Sequence, residues 1–356
     1  MTFNELKTFT KSALIIIVLF LVFSYFLAMF LGPTLFFFTP EGLNSSMLYV
    51  RGLPIWLFTI VGFGVPFWLN VRVVFLFIWG VFVICFVSAW QFRESLREVI
   101  GKSFSRPMKK LFDNCLFALP VIASMMLVAV IAIQSFQEAG GIPTGEAPLP
   151  ENPFQAFLEL SWKALFEELG FRAIPIGAFM IIYLFWVSGG NVATLSWGQR
   201  LKLLLTAPVF PERAKKMVGV KTVSDFGVRG GINLGEWAMI LFTSIIFGLA
   251  HYLGGGWNVG KITLAFAVAL TMGLTYLLYG IQAPILLHWF FNYHYYAYYL
   301  ASELYTPMLI AFVLIYSIII NLGRIGWLAV MILGFYKVFI TIAKRVKSQM
   351  PLSRAS

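Results

Sequence analysis

Charge is what this chain has least of. Only 12% of its 356 residues are Asp, Glu, Lys or Arg, against about 25% in a typical soluble domain. Cysteine is scarce as well. Cys85 and Cys115 stand in separate apolar runs, at no spacing that would make a disulfide framework or a thiolate metal site, so both read as buried neutral thiols. There are three histidines, His251, His288 and His294, and no HExxH, which excludes the helix-borne zinc-protease motif. No internal repeat of the kind transporters carry is visible, and no stretch has the composition of a soluble domain.

What the chain has instead is apolar surface. Hydrophobic residues make up 60% and aromatics 17%, and the mean hydropathy is +0.86. A spanning helix needs about 20 apolar residues. Segments that qualify run from Ser12 to Leu31, Val71 to Trp90, Leu111 to Ser135 and Phe154 to Trp186. Further spans run from Trp237 to Tyr252, Ile262 to Tyr279, Ala283 to Leu300, Leu304 to Asn321 and Trp327 to Ala343. Leu53 to Leu69, interrupted by Pro54 and Pro66, reads as a re-entrant segment or one further short span. The first segment has no small-residue cleavage site after it and reads as an uncleaved anchor. The fold class is an all-α polytopic membrane protein with about eight transmembrane helices.

The net charge of +11 lies in loops beside apolar segments, a pattern of membrane topology and anionic-lipid contact rather than of a nucleic-acid face. Segment 91–111 holds Arg93, Arg97, Lys102, Arg106, Lys109 and Lys110, and segment 187–235 holds seven more basic residues. Between them, 136–153 has three glutamates and no Lys or Arg. The positive-inside rule places the first two in the cytoplasm and the third outside. Counting both C-terminal segments as spans would put the basic tail (Lys344, Arg345, Lys347, Arg354) outside, so eight crossings are favoured over nine. Loop 187–235 is expected to form a small cap of amphipathic helices, "GQRLKLLL" among them.

Against this background the polar residues inside apolar segments stand out, since each ionisable group at bilayer depth costs roughly 2.5–3.5 kcal/mol. In "KALFEELGFRAIP", Glu168 and Arg172 are i,i+4 and pair on one helix face, while Glu167 lies about 100° round the helix. Glu159, Lys163 and Glu167 also run at i,i+4, so the same stretch reads alternatively as the polar face of an interfacial helix. In "SIIFGLAHYLGGG", His251 follows Phe247 by one turn near a span end, where an interfacial histidine is the plainer reading. In "LLHWFFNYHYYAYY", His288 and Asn292 share a face, whereas His294 reads as part of an interfacial aromatic belt. Asn70 and Arg72, at a segment boundary, read as snorkelling residues. At about 1.5 Å rise per residue, Glu167 and His251 each lie about 20 Å along their helices, and His288 and Asn292 about 9 and 15 Å along theirs. These depths overlap in a core about 30 Å thick, so one shared site is expected.

A carboxylate in a pocket with little water is a base able to deprotonate water, and an imidazole beside it shares or relays the proton. A second imidazole and a carboxamide one turn away supply two donors toward an oxyanion. The set implies hydrolysis of an amide inside the membrane. Glu167, His251 and His288 would equally make a zinc ligand set with one open position, although ligands on three helices carry no spacing signature.

"EELGFR", "FGLAH" and "HWFFN" resemble, in order, the EExxxR, FxxxH and HxxxN motifs of the CAAX prenyl protease and bacteriocin-processing family (CPBP, or Abi), which includes the type II CAAX endopeptidases. The resemblance covers about residues 154–295. It implies a catalytic membrane core over 151–300, flanked by N-terminal helices in 1–150 and by C-terminal helices and a basic tail in 301–356. It further implies that Glu167 is the general base, that His251 assists it, and that His288 and Asn292 stabilise the oxyanion. Glu168, Arg172 and Phe247 would support them. Metal-free glutamate catalysis is favoured over zinc, so no cofactor is expected. The implied substrate is a protein or peptide, lipidated or not, cut near its C-terminus; the eukaryotic branch removes three residues after a prenylated cysteine. Membrane lipid is the other partner, nucleic acid is not one, and the plasma membrane is the expected location. Loop 187–235 is longer than in compact members of the family. Two other functions compete, a catalytically silent immunity or scaffold protein and a proton-coupled transporter.

Overall fold

Helices form where the hydropathy demands them, because in lipid every backbone N–H and C=O must find its partner within its own segment. The computed structural model describes residues 2–349 apart from positions 59, 147 and 255. Among these residues, seven helices are long and apolar enough to cross a membrane. The helices of the bundle are α1 (Phe3–Phe38), α2 (Val71–Trp90), α3 (Cys115–Ala139), α4 (Pro153–Glu168), α5 (Ile174–Val187), α6 (Leu234–Gly254), α7 (Lys261–Tyr279), α8 (Gln282–Trp289), α9 (Tyr295–Leu304) and α10 (Thr306–Gln349). α4 and α5 are joined by a wide π turn, Leu169–Ala173, into one span. A second π turn, Phe290–His294, joins α8 and α9. The continuous helical segment 282–304 so formed is an eighth traverse of the bundle, and it carries His288, Asn292 and His294.

Side-chain caps set several boundaries. Asn114 accepts from the Phe117 N–H and starts α3, so the span expected from Leu111 begins after a short 3₁₀ turn, Met108–Asp113. Asn152 caps α4 through the N–H groups of Phe154 and Gln155. Asn70, expected to snorkel, instead caps α2 by accepting from Val73 N–H. Arg72 lies 3.4 Å from the Ser46 hydroxyl and stacks on Phe37.

Three other expectations are corrected. Leu304 to Asn321 and Trp327 to Ala343 are not two spans but one helix, α10. The glycines between them are packing contacts rather than breaks: a Cβ on Gly323 would meet Ser124 O at 2.2 Å, and one on Gly326 would meet Met125 Cγ at 2.7 Å. With one span fewer, the basic tail falls on the side of the basic loops, as far as Arg345; Arg354 lies outside the described residues. Leu53 to Leu69 is an antiparallel hairpin of β2 (Pro54–Leu57) and β3 (Val61–Gly64) rather than a span, closed at its base by β1 (Tyr49–Val50) paired with β4 (Leu69–Asn70). Ile60, Val61 and Phe63 at its tip are exposed. His294 is no interfacial residue. It is fully buried among the rings of Tyr25, Trp289, Phe290 and Tyr298, with its Nδ1 3.0 Å from the Tyr316 hydroxyl.

The two ends of the bundle differ in charge. Lys11 donates to the carbonyls of Ser103 and Arg106, and Arg93 pairs with Glu212, so the start of α1, segment 91–114 and loop 187–235 gather at one end. That loop forms the cap helices Gly189–Thr194, Trp197–Thr206, Pro211–Met217 and Val223–Gly231. The cap is held to α6 by Lys215, whose ammonium lies 2.9 Å from the Glu236 carboxylate, both side chains buried. At the other end, Asn258 and Gly260 donate their N–H groups to Thr144 and Pro143, which ties the α6–α7 loop to the α3–α4 loop.

Candidate active site

The site grows out of the junction of α4 and the first π turn. Pro175 has no N–H to give to the Phe171 carbonyl, so the regular ladder is interrupted there, and Ile174 N–H bonds back to Leu169 O in the i,i+5 pattern. Gly170 lets the hairpin press against this turn: a Cβ on it would sit 2.3 Å from Trp56 O. The Trp162 indole donates to Pro54 O at 2.6 Å and fixes the same hairpin from α4.

Glu168 and Arg172 are completely buried and paired, Nη1 to Oε1 3.0 Å apart, at the i,i+4 spacing. The same carboxylate oxygen lies 2.8 Å from His288 Nδ1 on α8. A carboxylate paired with arginine only accepts hydrogen bonds, so His288 Nδ1 carries the hydrogen. His251 follows the same logic. Its Nδ1 is 2.9 Å from Phe247 O, a carbonyl that only accepts, and so donates as well. In their neutral forms both rings therefore keep Nε2 as a lone pair.

His288 Nε2 is 3.9 Å from Glu167 Oε2, and both residues are 8% exposed. Glu167, His251, His288 and Asn292 line one cavity of about 440 Å³. Its wall also includes Trp56, Glu159, Lys163, Trp257 and Lys261. Glu159, Lys163 and Glu167, the suspected face of an interfacial helix, thus line this cavity, with Lys163 and Glu159 paired at 2.7 Å. Asn292, inside the second π turn, donates through Nδ2 to Leu160 O at 3.0 Å, which ties α4 to the turn. Phe247 is the hub of the group. Its ring lies 4.4 Å from the Arg172 guanidinium, 4.6 Å from the His251 ring and 5.0 Å from Phe171. It stacks edge-on at 6.3 Å from His288. A guanidinium on an aromatic face is an attractive contact that also fixes the ring.

Three motifs on three helices, spread over 126 positions of sequence from Glu167 to Asn292, therefore meet around one cavity. Residues 150–294 match the family model of Rce1-like type II CAAX prenyl endopeptidases. No curated protein and no solved structure matches the chain. The Rce1-like segment begins beside the Asn152 cap and ends at His294, so it contains every motif residue and the cap of loop 187–235. The matched family is one of proteases, and this chain has the helices of a multi-pass membrane protein.

The fit of zinc to this segment is mixed in chemistry and poor in spacing. Two Nε2 lone pairs and a carboxylate are suitable donors. Yet among the described residues no three His, Cys, Asp or Glu side chains come together as ligands for a metal ion. Sequence reasoning missed Trp56, Phe171, Trp257 and Lys261 as cavity residues. The hairpin reads as plain hydropathy, and Lys261 is hidden at the head of an apolar run.

Proposed function

We propose that the chain is an intramembrane endopeptidase in which Glu167 activates the attacking water. The observation that carries this reading is Glu167 Oε2 at 3.9 Å from His288 Nε2, in a cavity that His251 and Asn292 also line. Glu167 takes a proton from water as its oxygen bonds to the scissile carbonyl carbon. His251, held by Phe247 O, presents Nε2 to the same space and shares that proton. The resulting oxyanion meets donors from Asn292 and from His288, the latter as the imidazolium with its Nδ1–H on Glu168. The C–N bond then breaks and the proton passes from Glu167 to the leaving amine. Glu168, Arg172 and Phe247 position these groups and do not react. The substrate is a protein or peptide cut near its C-terminus, with or without a lipid, in the plasma membrane.

The substrate reaches the site from the non-cytoplasmic side. Pro148 and Trp257, in the loops at the end opposite the basic cap, form part of the cavity wall. That end carries Glu41, Glu146 and Glu151, and the positive-inside rule assigns the lysine- and arginine-rich end to the cytoplasm.

A quenched prenyl-peptide with purified protein tests the chemistry. Glu167→Gln should lower kcat/KM by about 10²–10⁴-fold while the protein melts as before. An unchanged rate rejects the site. Activity should persist after dialysis against o-phenanthroline; abolition that Zn²⁺ restores assigns the reaction to a metal.

A further inference from the structure

The cavity wall contains two lysines with different surroundings. Lys163 is neutralised by Glu159 at 2.7 Å. Lys261 has no carboxylate within ion-pair distance among the described residues; its ammonium rests 3.7 Å from the centre of the Trp257 ring. As the first residue of α7 it also stands at the positive end of a helix dipole, where a cation gains nothing. Neither helix stability nor an internal ion pair accounts for it. Its position is fixed nonetheless, since Gly260 N–H bonds to Pro143 O at 3.0 Å and Asn258 N–H to Thr144 O at 3.3 Å.

We propose that Lys261 is a carboxylate-binding residue of this cavity: its ammonium receives a carboxylate of the bound peptide, either the C-terminal group or an Asp or Glu side chain. This rests on the peptidase reading above and adds a specificity determinant to it. A peptide carboxylate gives the ammonium an ion-pair partner at contact distance, which Glu167 in the same wall does not, and a charge-assisted hydrogen bond of this kind is strong. It would lie by Trp257, while Glu167 and His288 face the scissile bond. Trp257 covers the other side of the ammonium and holds it toward the cavity.

The test separates binding from hydrolysis. A fluorescent S-prenylcysteine heptapeptide is titrated against the Glu167→Gln protein in detergent, as its C-terminal acid and as its C-terminal amide. A second pair carries Asp or Asn at one internal position in the amide form. One pair should show about a tenfold tighter Kd for the carboxylate member, and which pair does so names the source of the carboxylate. Adding Lys261→Met should abolish the preference, and Lys261→Arg should retain it. In the active protein, Lys261→Met should raise KM for the preferred acid about tenfold and leave kcat within about threefold. No preference in either pair, or a preference that survives Lys261→Met, overturns the proposal. Should Glu167→Gln leave hydrolysis intact, the assignment of the base falls, while the binding preference still reports on Lys261.

Discussion

Glu168 and His288, 120 positions apart in sequence, are joined by a 2.8 Å hydrogen bond inside the membrane, and Arg172 shares the same carboxylate oxygen. This bond fixes the imidazole by its Nδ1 and so decides which nitrogen faces Glu167. It also locks α4 to α8, so the proposed chemistry and the packing of the two helices rest on one buried anion.

Arg172→Ala should therefore act on stability before rate. The substitution leaves Glu168 buried with an imidazole as its remaining partner, and removing one member of such a pair costs about 3–5 kcal/mol. Thermal unfolding in detergent should show a large loss, and Glu168→Gln, which leaves the buried guanidinium without its anion, should show one of similar size. A fully stable and active Arg172→Ala protein would contradict the role given to the pair.

Gly170→Val should disturb the hairpin rather than the helix. Its first carbon would overlap Trp56 O at 2.3 Å, a backbone atom that moves only with the whole of β2. Overpacking of this kind costs about 1–3 kcal/mol. It should also move Trp56 in the cavity wall, read as altered tryptophan fluorescence and a raised KM. Unchanged fluorescence and kinetics would mean that the hairpin does not depend on this contact.

Orientation is open to cysteine labelling, because both native thiols, Cys85 and Cys115, are buried. Glu151→Cys and Lys202→Cys place single exposed thiols at the two ends of the bundle. In intact cells a membrane-impermeant maleimide should modify the first and spare the second. The reverse pattern would move the cavity mouth to the cytoplasm.

Much of this was legible in the residues, for local reasons. The spans follow from hydropathy, the gathering of the basic segments at one end of the bundle agrees with loop charge, and the Glu168–Arg172 pair follows from i,i+4 spacing. The helices bearing Glu167, His251 and His288 were readable singly; their meeting depends on packing that no short window contains. His294 was misread because a histidine among tyrosines has the same composition in an interfacial belt as in a buried ring cluster. Gly323 and Gly326 lie between two apolar runs that read singly as spans, and their missing side chains let α10 lie against α3. The hairpin went unseen because Pro54 to Gly64 is as apolar as a span and differs from one only in its backbone hydrogen bonds.

The wide turn at Leu169–Ala173 separates how the chain enters lipid from what it does there. A π turn holds one residue more than the α-helix it interrupts. Removing a residue there would restore a regular helix, whereas deleting Phe166 from α4 would leave the oily run long enough to be inserted as before. Glu167 would then be re-indexed by about 100° against the residues before it, swinging the acid away from its histidine. Insertion reads only the oiliness of this stretch, and the active centre depends on its phase.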